Sequence, residues 1–134
     1  MAYFAELNPN SVVLRIIIIN DEDMLDEHGH PQEYLGIARC RELTDVNTEW
    51  RQTKYENGFR FRPAQVGYVY SADYDVFMEQ QPFPSWSLDT VNFEWVPPVP
   101  APVLTQEQRM EGYYVSWNEQ ERNWDILRHL SPDQ

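Results

Sequence analysis

One pattern occurs three times along the chain, in YSADYDVF (residues 70–77), WSLDTVNFEW (86–95) and WNEQERNW (117–124). Each copy places turn-forming Asp or Asn between aromatic residues that favour β-strands. A short polar turn between two such residues is typical of an antiparallel hairpin. The three stretches therefore predict three small aromatic β-hairpins and a mainly β fold.

Proline-rich connectors separate these hairpins. The segment Pro82–Pro84 follows the first hairpin, and Pro97 to Pro102 follows the second. Such segments favour extended polyproline II backbone. We therefore predict a compact β-rich domain over residues 1–80 and an extended arm of hairpins and proline linkers over residues 81–134.

The first 80 residues carry a second set of strand and helix signals. Tyr3–Leu7 and Val12–Asn20 predict a hairpin, and the apolar run of the second strand predicts that it is covered on both faces. Arg15 interrupts that run and is expected to be solvent-facing or paired. Pro31 to Leu43 has the spacing of one short helix, and residues 49–55 predict a further strand.

Composition limits the classes of function. The 134 residues include 22 acidic and 10 basic side chains, a formal charge of −12. This charge argues against non-specific nucleic-acid binding and against docking on an anionic membrane. We expect no nucleic-acid partner, no membrane partner and a soluble protein made in a reducing host cytoplasm. Cys40 is the single cysteine and is expected to be a buried, inert thiol.

No sequence signature of an enzyme is present. The chain lacks a phosphate-binding loop, a nucleophile elbow and an HExxH motif. The acidic stretch around His28 and His30 is interpreted as a solvated loop or the start of a helix, because a zinc site needs three or four ligands. The Arg60–Arg62 pair is expected to neutralise acidic neighbours or carboxylates of a partner. We therefore expect no enzyme activity, no cofactor and no metal site.

Several segments, in order, resemble small structural proteins of marine tailed phages, especially cyanophages. The segments that carry the resemblance are Phe4–Leu7, Val12–Ile16, Trp50–Tyr55, Arg60–Arg62, Val66–Tyr70, Asp75–Phe77, Pro82–Asp89 and Trp95–Pro100. The last hairpin also resembles a Trp-containing repeat of phage structural proteins. Val66-Gly67-Tyr68 and Phe61-Arg62-Pro63 depart from the pattern of the group.

The resemblance implies a part of the virion rather than a catalyst. It implies a minor capsid or decoration protein whose main partner is the major capsid protein; the alternative is a tail, neck or fibre component. Self-association stays open, as does a carbohydrate-binding module, which exposed and coplanar Trp86 and Trp95 would favour. The aromatic and proline residues expected to bind a partner are Phe83, Trp86, Trp95, Pro97, Pro98, Trp117 and Trp124.

Overall fold

The computed structural model describes residues 1–56 and 58–130. Within these residues it contains nine strands in small antiparallel sheets, which confirms the mainly β prediction. The chain divides into two compact units, Met1–Gln80 and Gln81–Gln134. The last four residues of the predicted arm, 131–134, lie outside the described residues. Over the described part of the chain, no helix combines the length and apolar character needed to cross a membrane.

A three-stranded antiparallel sheet forms the centre of the first unit. Its strands are β1 (Ala2–Leu7), β2 (Val13–Ile19) and β3 (Glu49–Thr53), in the order β2-β1-β3. Phe4 lies opposite Ile17 on one side and Gln52 on the other. The structure thus confirms the predicted hairpin and the predicted third strand.

The prediction that the second strand is covered on both faces is wrong. β3 returns to pair with β1, so β1 takes the central position and β2 becomes an edge strand. Leu14 and Ile18 on β2 are 50% and 53% exposed. Arg15 was expected to be solvent-facing or paired. It forms an ion pair with Glu6, in which Nε of Arg15 lies 2.6 Å from Oε1 of Glu6. An apolar run indicates a strand, but whether both of its faces are covered depends on which other segments pack against the sheet.

The helix α1 (Glu33–Leu43) confirms the helix predicted in this region. It belongs to a buried cluster on one face of the sheet. The members of that cluster are Ala2, Phe4, Ile19, Met24, Cys40 and Trp50. Burial raises the pKa of the Cys40 thiol to about 11, which favours the unreactive protonated form.

The first of the three predicted hairpins, β4 (Val69–Ser71) and β5 (Val76–Met78), is confirmed. It contributes to a second buried cluster. That cluster contains Ala5, Leu7, Val13, Ala64, Tyr70 and Phe77. The central strand β1 therefore contributes side chains to both clusters, which explains why it is the strand buried on both faces.

Arg60 connects three parts of the first unit. Its guanidinium pairs with the carboxylate of Glu33 and donates to the Gln52 carbonyl at 2.9 Å and to Asp75 at 2.9 Å. Burial of Glu33 opposes ionisation, but hydrogen bonds from Arg60 and from the Gln52 N–H hold the pKa of Glu33 below its usual value. The prediction that this basic segment neutralises acidic neighbours is confirmed for Arg60.

The second unit contains two further hairpins and a short helix. β6 (Ser87–Asp89) pairs with β7 (Glu94–Val96), and β8 (Tyr113–Asn118) pairs with β9 (Asn123–Arg128), as predicted. The helix α2 (Gln106–Met110) was not predicted. Thr105 and Gln108 form a capping box at its start, a pattern that is recognisable in the sequence.

Candidate partner-binding surface

The three hairpins share one turn geometry. Each pair of strands is joined by a loop whose last residue adopts a left-handed backbone conformation: Asp75 (φ 54°), Phe93 (φ 50°) and Arg122 (φ 50°). This conformation is uncommon for residues other than glycine, asparagine and aspartate. Its recurrence at the same place in three hairpins identifies a structural repeat.

A polar side chain at the end of the first strand supports each turn. It accepts a hydrogen bond from the backbone N–H three residues later. The three bonds are Tyr74 N to Ser71 Oγ (3.4 Å), Asn92 N to Asp89 Oδ1 (3.4 Å) and Glu121 N to Asn118 Oδ1 (3.0 Å). Short polar side chains of this kind stabilise turns by bonding nearby backbone.

The three hairpins share one register, but only the first and the third place two aromatic residues opposite each other. Tyr70 lies opposite Phe77, and Trp117 lies opposite Trp124. In the second hairpin the residue opposite Trp95 is Leu88, not Trp86. Trp86 precedes β6 and is therefore available for other contacts.

Those contacts form a tryptophan cluster, which consists of Phe83, Trp86, Trp117 and Trp124. The rings of Trp117 and Trp124 are 5.2 Å apart, and Trp86 is 5.8 Å from Trp117 and 6.0 Å from Trp124. Phe83 lies 5.7 Å from Trp86. The interplanar angles among the three indoles are 59° to 86°, and these inclined contacts are favourable for aromatic rings. The cluster is the aromatic core of the second unit.

Glu119, in the loop of the last hairpin, fixes one side of the tryptophan cluster. Its carboxylate accepts from Ser85 Oγ at 2.7 Å, from the Ser85 N–H at 3.0 Å and from Trp117 Nε1 at 2.7 Å. The hydrogen bonds from Ser85 and Trp117 lower the pKa of Glu119. The segment before the second hairpin is thus tied to the turn of the third.

The proline tract is held in a similar way. Trp124 Nε1 donates to the carbonyl oxygen of Val99 at 2.7 Å. The indole N–H of Trp86, in contrast, is buried and has no acceptor among the described residues. Burying a donor without a partner costs about 1–3 kcal/mol. The three indoles of the cluster therefore differ in whether their N–H groups have an acceptor.

The structure brings together four of the seven residues expected to bind a partner. Phe83, Trp86, Trp117 and Trp124 form the tryptophan cluster, and Trp117 is only 8% exposed. Trp95 lies on β7, and Pro97 and Pro98 follow that strand. Their binding of a partner stays a prediction.

Glu119 and Val99 were not predicted to take part in the site. The position of Glu119, two residues after Trp117 in a turn, was a usable signal, because turn carboxylates commonly accept local hydrogen bonds. The carbonyl of Val99 carries no sequence signal, since every residue has one. Contacts through backbone atoms become visible only when the fold is known.

The second hairpin differs from the other two in its burial. None of the residues of β6 and β7 is buried. In contrast, β5 is buried throughout, and β8 contributes the buried Trp117. Val91 in the loop is 77% exposed and Val96 is 43% exposed. An isolated two-stranded hairpin is only marginally stable in water, so additional cover would stabilise this one.

Among residues 1–56 and 58–130, no three His, Cys, Asp or Glu side chains come close enough to hold a metal ion. Comparisons of the chain with protein-family models, with curated proteins and with solved structures found no match.

Proposed function

We propose that the chain is a structural protein of a tailed-phage particle that binds neighbouring subunits through its second unit. A minor capsid or decoration protein on the head is the preferred placement, and a tail, neck or fibre component is the alternative. The proposal rests on the sequence resemblance and on one structural observation, the absence of buried residues in the hairpin β6–β7.

That observation bears on binding because a hairpin needs cover. The first hairpin packs in a buried cluster of the first unit, and the third packs in the tryptophan cluster. The second hairpin keeps Trp95 half-buried and Val96 exposed. A neighbouring subunit that covered this hairpin would bury aromatic and aliphatic area, which is the usual composition of an interface centre.

The tryptophan cluster has a different role in this proposal. Its rings pack against one another, so the cluster stabilises the fold of the second unit and supports the surface proposed to bind a neighbouring subunit. Trp86 packs edge-on against Trp117. A flat sugar platform requires coplanar exposed rings, and the arrangement around Trp86 does not favour that alternative.

Two matched substitutions separate binding from folding. We expect Trp95→Ala to reduce association with particles more than it lowers the melting temperature of the free protein. Trp117→Ala removes a buried indole and should destabilise the second unit by about 3–5 kcal/mol. The measurements are cosedimentation with particles that lack the native copy, and thermal unfolding by circular dichroism. Normal occupancy of the folded Trp95→Ala variant would contradict the proposed surface.

Copy number tests the placement. Quantitative mass spectrometry of purified particles should find the chain, and its ratio to the major capsid protein separates the two locations. Head decoration requires a copy number comparable to that of the major capsid protein, whereas a tail or neck ring requires far fewer copies. Absence of the chain from purified particles would refute the proposal as a whole.

A further inference from the structure

The third hairpin shows what kind of segment covers a hairpin of this repeat. In β8–β9 the second pair of residues from the turn is Trp117 and Trp124. Two aromatic rings from a preceding segment pack on this pair: Phe83 lies 6.5 Å and Trp86 lies 5.8 Å from the ring centre of Trp117. Under this cover Trp117 is only 8% exposed.

The covering segment is an aromatic proline turn, Phe83-Pro84-Ser85-Trp86. The Trp86 N–H donates to the Phe83 carbonyl at 3.1 Å, and the proline stands at the second position of the turn. Proline is favoured there because its ring presets the backbone angle that the turn needs. The turn brings the two rings at its ends to within 5.7 Å of each other, so both contact the same hairpin.

Hydrogen bonds hold the aromatic proline turn on the third hairpin. The Ser85 N–H and Oγ both donate to the Glu119 carboxylate, at 3.0 and 2.7 Å. Gln81 Nε2 donates to the Trp86 carbonyl at 3.0 Å and supports the turn from its other side. The aromatic proline turn of this chain is therefore already bound within its own unit.

The second hairpin presents an equivalent pair of residues. In β6–β7 the second pair from the turn is Leu88 and Trp95, and the loop ends in the same left-handed conformation, at Phe93. Both members of this pair are only partly buried. The corresponding pairs of the other two hairpins each contain a buried ring, Phe77 in the first and Trp117 in the third.

We propose that the face of β6–β7 that carries Leu88 and Trp95 binds an aromatic proline turn of a different virion protein, an inference that rests on the function proposed above and names the chemistry of the partner. The precedent is the third hairpin, which binds such a turn within the chain. A second copy of this chain is not the expected source, because its own turn is occupied. Aromatic anchors packed on such a pair are typical of the centre of an interface.

One difference between the hairpins distinguishes this contact from displacement of the chain's own turn. Thr90 has the loop position that Glu119 has in the third hairpin, directly after the first strand. Thr90 offers a hydroxyl there in place of a carboxylate. Binding to the second hairpin should therefore depend on the aromatic rings of the turn and little on its serine, whereas binding to the third hairpin should depend on both.

The test is an NMR titration of the isotope-labelled full chain with a synthetic peptide of residues 81–87, which contains the aromatic proline turn. We expect the Trp95 indole signal and the backbone amides of β6 and β7 to shift. The Trp117 and Trp124 indole signals should stay, because the chain's own turn has a high effective concentration and excludes the peptide. A peptide with Ser85→Ala should bind equally well, and one with Trp86→Ala should bind about tenfold more weakly.

Two variants of the chain assign the surface. Leu88→Lys places a charge on the proposed face and should weaken peptide binding about tenfold, while the Trp95 indole signal still reports whether the hairpin is folded. Tyr55→Ala is the matched control, because it removes a ring that is 66% exposed on the first unit. It should bind the peptide like wild type.

Three results would overturn the inference: no shift at millimolar peptide, equal binding of the Trp86→Ala peptide, or shifts confined to Trp117 and Trp124. Self-association of the chain that Leu88→Lys abolishes would also overturn it, since the face would then belong to a second copy. The proposed function is tested separately. If the peptide fails to bind but Trp95→Ala still reduces association with particles, only the inference fails; absence of the chain from purified particles refutes the proposed function.

Discussion

Substitution of Gly36 by alanine tests how closely α1 approaches the sheet. Gly36 is a buried residue in the interior of α1, where glycine is unfavourable for the helix by itself. A Cβ added there would lie 2.2 Å from Cζ of Phe4 and 2.8 Å from its Cε2. The side chain of Phe4 is fully buried, so its ring has little room to move.

The size of the effect follows from two opposing terms. Alanine should stabilise the helix by about 1 kcal/mol relative to glycine. To reach van der Waals distance, however, the ring of Phe4 has to move by about 1.2 Å, from 2.2 Å to 3.4 Å from the new methyl group. Overpacking of this kind costs about 1–3 kcal/mol. The Phe4 ring is rigid and its surroundings are packed, so the cost should lie in the upper part of that range, at about 2–3 kcal/mol, and the net destabilisation should be about 1–2 kcal/mol.

Thermal unfolding of the full chain by circular dichroism measures this loss, and amide hydrogen exchange in β1 assigns it to the first unit. A loss of this size corresponds to a decrease in melting temperature of about 5–15 °C for a unit of this length. Phe4→Leu provides the control, because it shortens the side chain that the added methyl group would meet.

In the Phe4→Leu background, Gly36→Ala should be neutral or stabilising by up to about 1 kcal/mol, because only the helix propensity remains. The double-mutant cycle would then show a coupling between the two positions. A Gly36→Ala variant that melts higher than wild type would refute the reasoning. So would an equal loss of stability in both backgrounds.

The remaining predictions concern polar groups. The pKa of Glu119 is lowered by its donors, so its contribution to stability is present above the ordinary glutamate pKa of about 4.3 and is lost as the pH falls through the lower folded value. Acid should therefore reduce the melting temperature of the second unit more in wild type than in Glu119→Gln. Trp86→Phe removes an N–H without an acceptor and Trp117→Phe removes one that binds Glu119, so Trp117→Phe should be the more destabilising in urea unfolding. Arg60→Met leaves the partly buried Glu33 carboxylate without its partner and should cost about 3 kcal/mol in the same assay.

Local patterns predicted most of the secondary structure. The alternation of aromatic and polar turn residues was sufficient for all three hairpins, because turn chemistry acts within a few residues. The periodicity after Pro31 was sufficient for α1. The short helix α2 could also have been predicted, since the capping box of Thr105 and Gln108 lies in the sequence.

Pairing between distant segments could not be predicted in the same way. The sequence does not determine whether β1 or β2 receives β3, because both strands are apolar. The sequence also does not show that Leu88, rather than another aromatic residue, lies opposite Trp95, or that Trp86 joins the tryptophan cluster. These choices depend on packing between segments, which a local pattern does not contain.

In the candidate site, too, some features could be predicted from the sequence and others could not. The aromatic anchors were predictable as residue types, because large rings carry most of the burial in a small unit. Their roles were not predictable. Trp117 proves to be a buried part of its own unit, and Trp95 lies on a hairpin without a buried residue.

The three hairpins therefore have the same turn but differ in the residues that cover them. Each has the same supported loop with a left-handed last residue, so the turns can form from local interactions. Their covers differ: buried side chains of the first unit for the first hairpin, and Phe83 with Trp86 for the third. For the second hairpin, the described residues of its own unit leave every strand position at least partly exposed. Since a hairpin of this size is marginal without cover, the second one is where a neighbouring subunit would add most to stability.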